Sequence, residues 1–195
     1  MKRSMVLAAC LAIIVAMPLS GFAQSRTDRD STAAAKKSAA PDEKFLKRAA
    51  VDNKAEVDLG RLAGDRGSSQ SVKQFGQRMV TDHGKAIEEL QQLAQQKGVS
   101  LPADTDAKHK KTYDRLSKLS GDQFDREYMK HMVREHDADV KAFKREAERA
   151  KDPDVKSWAG KTLPVLEQHQ QQAHQIQTTL KGSGGSASPP AKSSK

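Results

Sequence analysis

Residues 153–180 read PDVKSWAGKTLPVLEQHQQQAHQIQTTL. Along this stretch Val155, Ala159, Thr162, Leu166, His169, Ala173, Ile176 and Leu180 alternate steps of four and three. That spacing keeps one stripe of a helix turned toward its neighbours and leaves the other faces to water. Asp152 and Pro153 supply the start signal, a capping carboxylate followed by a proline at the first helical position. A histidine, His169, stands in the middle of the inward stripe.

Working outward, the same pattern recurs three times between residues 42 and 151. A second helix, from Ser68 and Ser69 as caps to Gly98, carries Val72, Phe75, Met79, His83, Ala86, Leu90 and Leu93, with Asp82 adjacent. A third begins at Ser120-Gly121-Asp122-Gln123, which has the spacing of a capping box, and carries Asp125, Met129, Met132, His136, Val140, Phe143 and Ala147. The first opens at Pro41-Asp42 and closes at Gly64-Asp65-Arg66-Gly67, with Phe45, Ala49, Asp52, Glu56, Leu59 and Ala63 inward. Between the second and third, a connection with Pro102 leads to a short helical piece near 106–119. Almost nothing reads as strand. The fold class is therefore all-α, an antiparallel four-helix bundle with a short extra helix between helices 2 and 3. At 1.5 Å per residue the four long helices measure about 35–45 Å. The tight turns make antiparallel hairpins of helices 1 and 2 and of helices 3 and 4.

The flanks are of a different character. Lys2 and Arg3 precede an apolar run from Met5 to Met17, and Gly21-Phe22-Ala23 offers small residues where a signal peptidase reads. This is the order of a removable secretory signal over residues 1–23, short for a membrane span. Leu7-Ala8-Ala9-Cys10 also has the order of a lipobox, but most of the apolar run comes after that cysteine. The expected location is periplasmic or secreted. Residues 24–41 read as a disordered linker, 42–181 as the bundle, and 182–195 as a flexible Gly/Ser/Pro/Lys tail. Cys10 is the only cysteine, so a chain cut after Ala23 has neither disulfides nor thiolate sites. Most of the formal charge of +9 sits in the signal, linker and tail, while residues 42–180 interleave both signs. With aromatics at 4%, the chain lacks a stacking surface for single strands, and nucleic acid is not an expected partner. The basic tails are suited to weak contact with anionic envelope surfaces.

Counting residues from each turn puts His83, His136 and His169 within about one helical turn of mid-height, with Glu56 close to that level. Buried imidazoles need partners. One reading is a site for a single transition metal (copper, zinc or iron), with His83, His136 and His169 as ligands and Glu56 and Asp82 as further ligands or orienting partners. The other is a structural or stress-protective envelope protein whose polar cluster only fixes packing. Met79, Met129 and Met132 add thioethers that suit copper, or serve as core filler. No nucleophile with a base and no glycine-rich phosphate loop is present, so enzymatic activity would have to come from the metal.

The chain also resembles exported bacterial proteins of the domain of unknown function family 4142 (DUF4142). The resemblance runs over about residues 43–178. It lies in Ala55-Glu56-Val57-Asp58-Leu59-Gly60-Arg61-Leu62-Ala63, in Val72-Lys73-Gln74-Phe75-Gly76 and in Met79-Val80-Thr81-Asp82-His83. It continues in Phe124-Asp125-Arg126-Glu127-Tyr128-Met129 with His136, and in Thr162-Leu163-Pro164-Val165-Leu166 with His169. The resemblance implies a ferritin-like bundle in the cell envelope and no established activity. Glu-x-x-His, which di-iron bundles carry on two helices, does not occur in the sequence.

Overall fold

The computed structural model describes residues 27–183. The expected signal, residues 1–23, and most of the expected C-terminal tail, residues 182–195, lie outside them. The chain forms α1 (Thr27–Arg66), α2 (Gln70–Lys97), α3 (Ala107–Leu116), α4 (Gly121–Arg149) and α5 (Pro153–Ser183). There is no strand among the described residues. The compact unit that contains the bundle starts at Lys37. No described helix is long and apolar enough to cross a membrane.

The helix boundaries agree with the sequence to within a few residues except at the first, with α5 running on through Gly182 to Ser183 and α3 limited to Ala107–Leu116. The expected start was Pro41-Asp42 after a disordered stretch, but α1 is already helical from Thr27 and carries Pro41 inside it. Ala33 to Ala35, Lys36, Lys37, Ala39 and Ala40 are good helix formers, and an internal proline removes one backbone bond without ending such a run. Gly98 closes α2 in the left-handed conformation at φ 65°, with its N–H donated to the carbonyls of Ala94 and Gln95. Asp152 caps α5 as expected, accepting from the amides of Asp154 at 2.9 Å and Val155 at 3.4 Å.

Two other expected side-chain caps are not formed, and at the first of them a longer-range contact takes over. Neither Ser69 nor Ser120 makes a side-chain capping bond. Instead the turn between α1 and α2 is held by Asp125, near the start of α4. Its carboxylate accepts from the Ser69 amide at 2.7 Å, the Ser68 amide at 3.1 Å and the Ser68 hydroxyl at 2.7 Å. The turn between α4 and α5 is held in the same way by Asp42 of α1, which accepts from the amides of Asp152 at 2.7 Å and Lys151 at 3.0 Å. Each hairpin thus has its turn capped by the other hairpin.

These two caps fix the topology. The end of α1 meets the start of α4, and the end of α4 meets Asp42 on α1, so α1 and α4 are antiparallel. Lys97, at the end of α2, pairs with Asp152 at 2.8 Å and Asp154 at 2.6 Å at the start of α5. Hence α2 runs parallel to α4, α5 runs parallel to α1, and residues 98–120 form a crossover along the bundle that carries α3. Up, down, down, up with one long crossover is the ferritin-like connection. Ion pairs from Arg48 to Asp106 and from Lys108 to Glu135 tie α3 to α1 and α4. Within the first hairpin the helices touch through glycine. A Cβ on Gly76 would lie 2.6 Å from the Ala63 Cβ, and one on Gly60 would lie 2.6 Å from the Gly76 carbonyl.

The core is divided. One apolar cluster, around Leu59, Phe75, Met79, Tyr128, Met129 and Ile176, occupies the end where α4 begins. Another, around Phe45, Leu90, Phe143, Trp158 and Leu166, occupies the end where α5 begins. The segments between them on α1, α2, α4 and α5 hold the polar residues at mid-height.

Replacing Asp125, itself 1% exposed, with alanine leaves the Ser68 and Ser69 amides without their acceptor, while the Ser68 hydroxyl keeps Asp122 at 2.9 Å. Urea unfolding at pH 7 is expected to show a loss of about 2–4 kcal/mol. A loss below about 0.5 kcal/mol, the level of an ordinary surface change, would mean that water takes over the capping.

Candidate metal centre

His83 on α2, His136 on α4 and His169 on α5 converge between the two apolar clusters. Their ring centroids are 5.7, 5.3 and 5.4 Å apart, close to an equilateral triangle. The residues are 4%, 0% and 1% exposed. One nitrogen of each ring lies within 4.8 Å of a nitrogen of both others. Phe75 covers one side, its ring edge-on at 6.1 Å from His136 and 6.5 Å from His169.

Each imidazole is held from behind. His83 bonds through Nδ1 to the Asn53 side-chain oxygen at 2.8 Å, and the Asn53 amide nitrogen donates to the Ala49 carbonyl at 2.7 Å, which fixes how the amide is turned. His136 bonds through Nδ1 to the Met132 carbonyl at 2.9 Å. His169 bonds through Nε2 to Asp82 Oδ2 at 2.8 Å. An amide oxygen, a backbone carbonyl and a carboxylate can only accept, so each ring must donate to its partner. A neutral imidazole has one donor and one acceptor nitrogen. The second nitrogens, His83 Nε2, His136 Nε2 and His169 Nδ1, therefore carry lone pairs, and all three are buried without a hydrogen-bond partner.

The rings stay neutral. Burial lowers His136 to about 4, with His169 close by adding to the effect. Burial and then the two neighbouring histidines hold His83 well below the usual value. Burial also lowers His169, against the opposing pull of its bond to Asp82. Asp82 itself lies below the usual carboxylate range: its partial burial works the other way, but the bonds from His169 and Arg78 outweigh it. At neutral pH the contact between His169 and Asp82 is thus a hydrogen bond from a neutral ring to a carboxylate.

Of the residues singled out in the sequence, the structure brings together His83, His136 and His169, with Asp82 touching His169 from outside. Glu56 stands elsewhere. It is 4% exposed, its Oε2 has no hydrogen-bond partner, and its ionised form is opposed by burial first and then by Asp139, Glu135 and Asp52, which raise it well above the usual value. Asp139 is raised to about 8 by burial and then by Asp52 and Glu135. Sequence reasoning missed Asn53, whose signal was its place one turn from Ala49 on the inward face of α1. The remaining histidines lie outside this cluster. His109 contacts Asp106 and Asp52, His131 accepts from Arg134, and His174 reaches Asp137 near the surface.

A family model described as domain of unknown function (DUF4142) matches residues 27–176. No curated protein matches the chain. Among solved structures, a DUF305 fragment from Deinococcus radiodurans superposes with a TM-score of 0.63 at 13% identity, covering 71% of this chain and 95% of the other. CopM in its Cu(II)-bound form gives a TM-score of 0.61 at 17% identity, covering 71% and 96%. At these identities the likeness is one of fold.

The carboxyl groups on α1 and α4 make a separate expectation. Folding raises the proton affinity of Glu56 and Asp139, so the native state binds more protons than the unfolded chain above their ordinary values of 4.5 and 3.8. Their contribution to stability is complete below those values and is lost as pH rises, for Asp139 through about 8. Glu56→Gln keeps the shape and removes the acid. Thermal melts are expected to match the parent near pH 4 and to exceed it at pH 8 and above. A variant with the parent's pH dependence throughout would show that Glu56 is ionised in the fold.

Proposed function

The chain belongs to the DUF4142 family, and from that premise we propose that it is an exported helical bundle that binds one transition-metal ion through His83, His136 and His169. The observation that carries the reading is the set of three buried lone pairs with no proton donor to meet them. Three acceptors facing one another are unfavourable unless a cation or a shared proton lies between them. The pKa directions argue against the proton, because burial holds the rings neutral.

The donor set fits such an ion. Metal–imidazole bonds of about 2.0–2.1 Å place ligand nitrogens about 3.3–3.6 Å apart. Starting separations of up to 4.8 Å need only small rotations of rings that are already turned the right way. Asn53, the Met132 carbonyl and Asp82 act on the tautomers: by accepting the outer N–H, each leaves the inner nitrogen free to ligate and makes it more basic. Since the rings carry no second proton at neutral pH, binding displaces none from them. Asp82 belongs to this reading as the partner of His169. Glu56, which faces other carboxylates, stays outside the donor set.

Imidazole suits copper, zinc and iron. The fold shared with CopM in its Cu(II)-bound form makes copper the first ion to try. The metal is held and not used for turnover in this reading, since no nucleophile and base adjoin it. Export rests on the order of residues 1–23, and the limits 42–181 remain our proposal for the folded domain.

The test is metal content and affinity of the mature protein purified without a tag, with copper, zinc and iron offered in turn. One ion per chain and a raised melting temperature are expected, with His136→Ala weakening binding by about tenfold or more and Asp82→Asn and Asn53→Ala weakening it less. Binding by the three histidine-to-alanine variants that equals the parent would end the proposal. The polar layer would then be a packing device.

A further inference from the structure

A centre this deeply buried needs a way in. Three groups touch the imidazole trio from outside. Asn53 is 5% exposed, and the Met132 carbonyl belongs to a residue that is fully buried. Asp82 differs, with a side chain 30% exposed. It lines a cleft of about 340 Å³ between α2 and α5, together with Lys85, Ala86, Glu89, Lys161, Thr162 and Val165. Through Asp82 that cleft is one hydrogen bond away from His169, whose other nitrogen is one of the three inward lone pairs.

Asp82 is also held from beside the cleft by Arg78, one turn earlier on α2. Its Nε donates to Asp82 Oδ2 at 3.2 Å, the same oxygen that receives the His169 proton. Its Nη2 donates to Gln168 at 2.8 Å and its Nη1 to Gln172 at 3.1 Å. Gln168 and Gln172 flank His169 on α5, so one guanidinium ties α2 to α5 on both sides of the ligand helix turn. The planar, five-donor group suits this role because it can hold three acceptors at once without losing its charge. Each of these bonds holds either Asp82 or the α5 turn that carries His169, whose ring must rotate for an ion to reach its Nδ1. The lining lysines, Lys85 and Lys161, offset Asp82 and Glu89, so the cleft is not a field that collects cations, and its control of passage is steric and through hydrogen bonds.

We propose that the cleft at Asp82 is the port through which the trihistidine centre is loaded with a transition-metal cation, and that Arg78 is the latch that sets the rate. The port rests on the proposed metal centre at His83, His136 and His169. The role of Arg78 is kinetic, since the guanidinium touches none of the three inward nitrogens.

The experiment uses Co(II) as the probe, whose visible bands report coordination by imidazole. Loading is followed by stopped flow, unloading by mixing the filled protein with EDTA, and affinity by titration. Arg78→Gln is expected to speed loading and unloading by about tenfold each, the scale of losing charge-assisted hydrogen bonds, with the dissociation constant unchanged within about threefold. Val165→Trp, which fills the cleft, is expected to slow both by about tenfold at the parent's affinity. Arg126→Gln is the control, because Arg126 also reaches α5, at the Leu180 carbonyl, far from the cleft. Arg78→Gln rates no different from those of the control, or Val165→Trp rates equal to the parent's, would overturn the port while leaving the centre intact. A parent that takes up no Co(II), zinc or copper would overturn the centre and the port together.

Discussion

A neutral imidazole has one proton to give, and in this protein all three core imidazoles give it outward. That constraint organises the middle of the bundle. Because Asn53, Met132 and Asp82 offer only acceptors to the outer nitrogens, the inner nitrogens have no choice of tautomer. The same arrangement on a surface would cost little, since water would donate to the lone pairs. Here the residues are at most 4% exposed, and apolar clusters close both ends of the layer. A polar layer of this kind costs stability, and the packing above and below must offset it.

Holding the trio in register requires that the two hairpins not slide. The reciprocal caps do this from the ends. Asp125 holds the turn of one hairpin, and Asp42 holds the turn of the other. A slip of one turn would break both sets of bonds at once. Gly60 and Gly76 bring α1 and α2 close enough for Asn53 to reach His83 across their interface. Arg78 then ties α2 to α5 beside His169. The cluster is thus assembled from four helices, each contributing a histidine or the group that orients one.

Glu56 shows how far inward facing is from shared function. Its position on the α1 stripe and its height both placed it with the histidines. In three dimensions it is not one of the three converging groups, and its charge is felt instead with those of Asp139 and Glu135 on α4 and Asp52, one turn back on its own helix. A helix stripe is wide enough to face two neighbours, so residues at the same height can look into different interfaces. The crossover helix α3 fills the space beside that second interface, with His109 close to Asp52. Four acidic groups there are tolerated because burial keeps some of them protonated.

The helices, their inward stripes and the common level of His83, His136 and His169 were legible in the sequence because they are local. A period near 3.6 residues and a fixed rise per residue carry such information along the chain without any knowledge of neighbours. The early start of α1 was not legible because proline is read as a boundary, although its steric effect is confined to the preceding turn. The tertiary structure alone decided the up, down, down, up order, the exchange of caps between hairpins, the choice of Asn53 and Asp82 as partners, and the place of Glu56 apart from the histidine trio. Those depend on side-chain rotation and on contacts between residues far apart in the chain, such as Asp82 with His169 and Asp42 with Asp152. No periodicity within one helix encodes which nitrogen of a ring faces a residue on another.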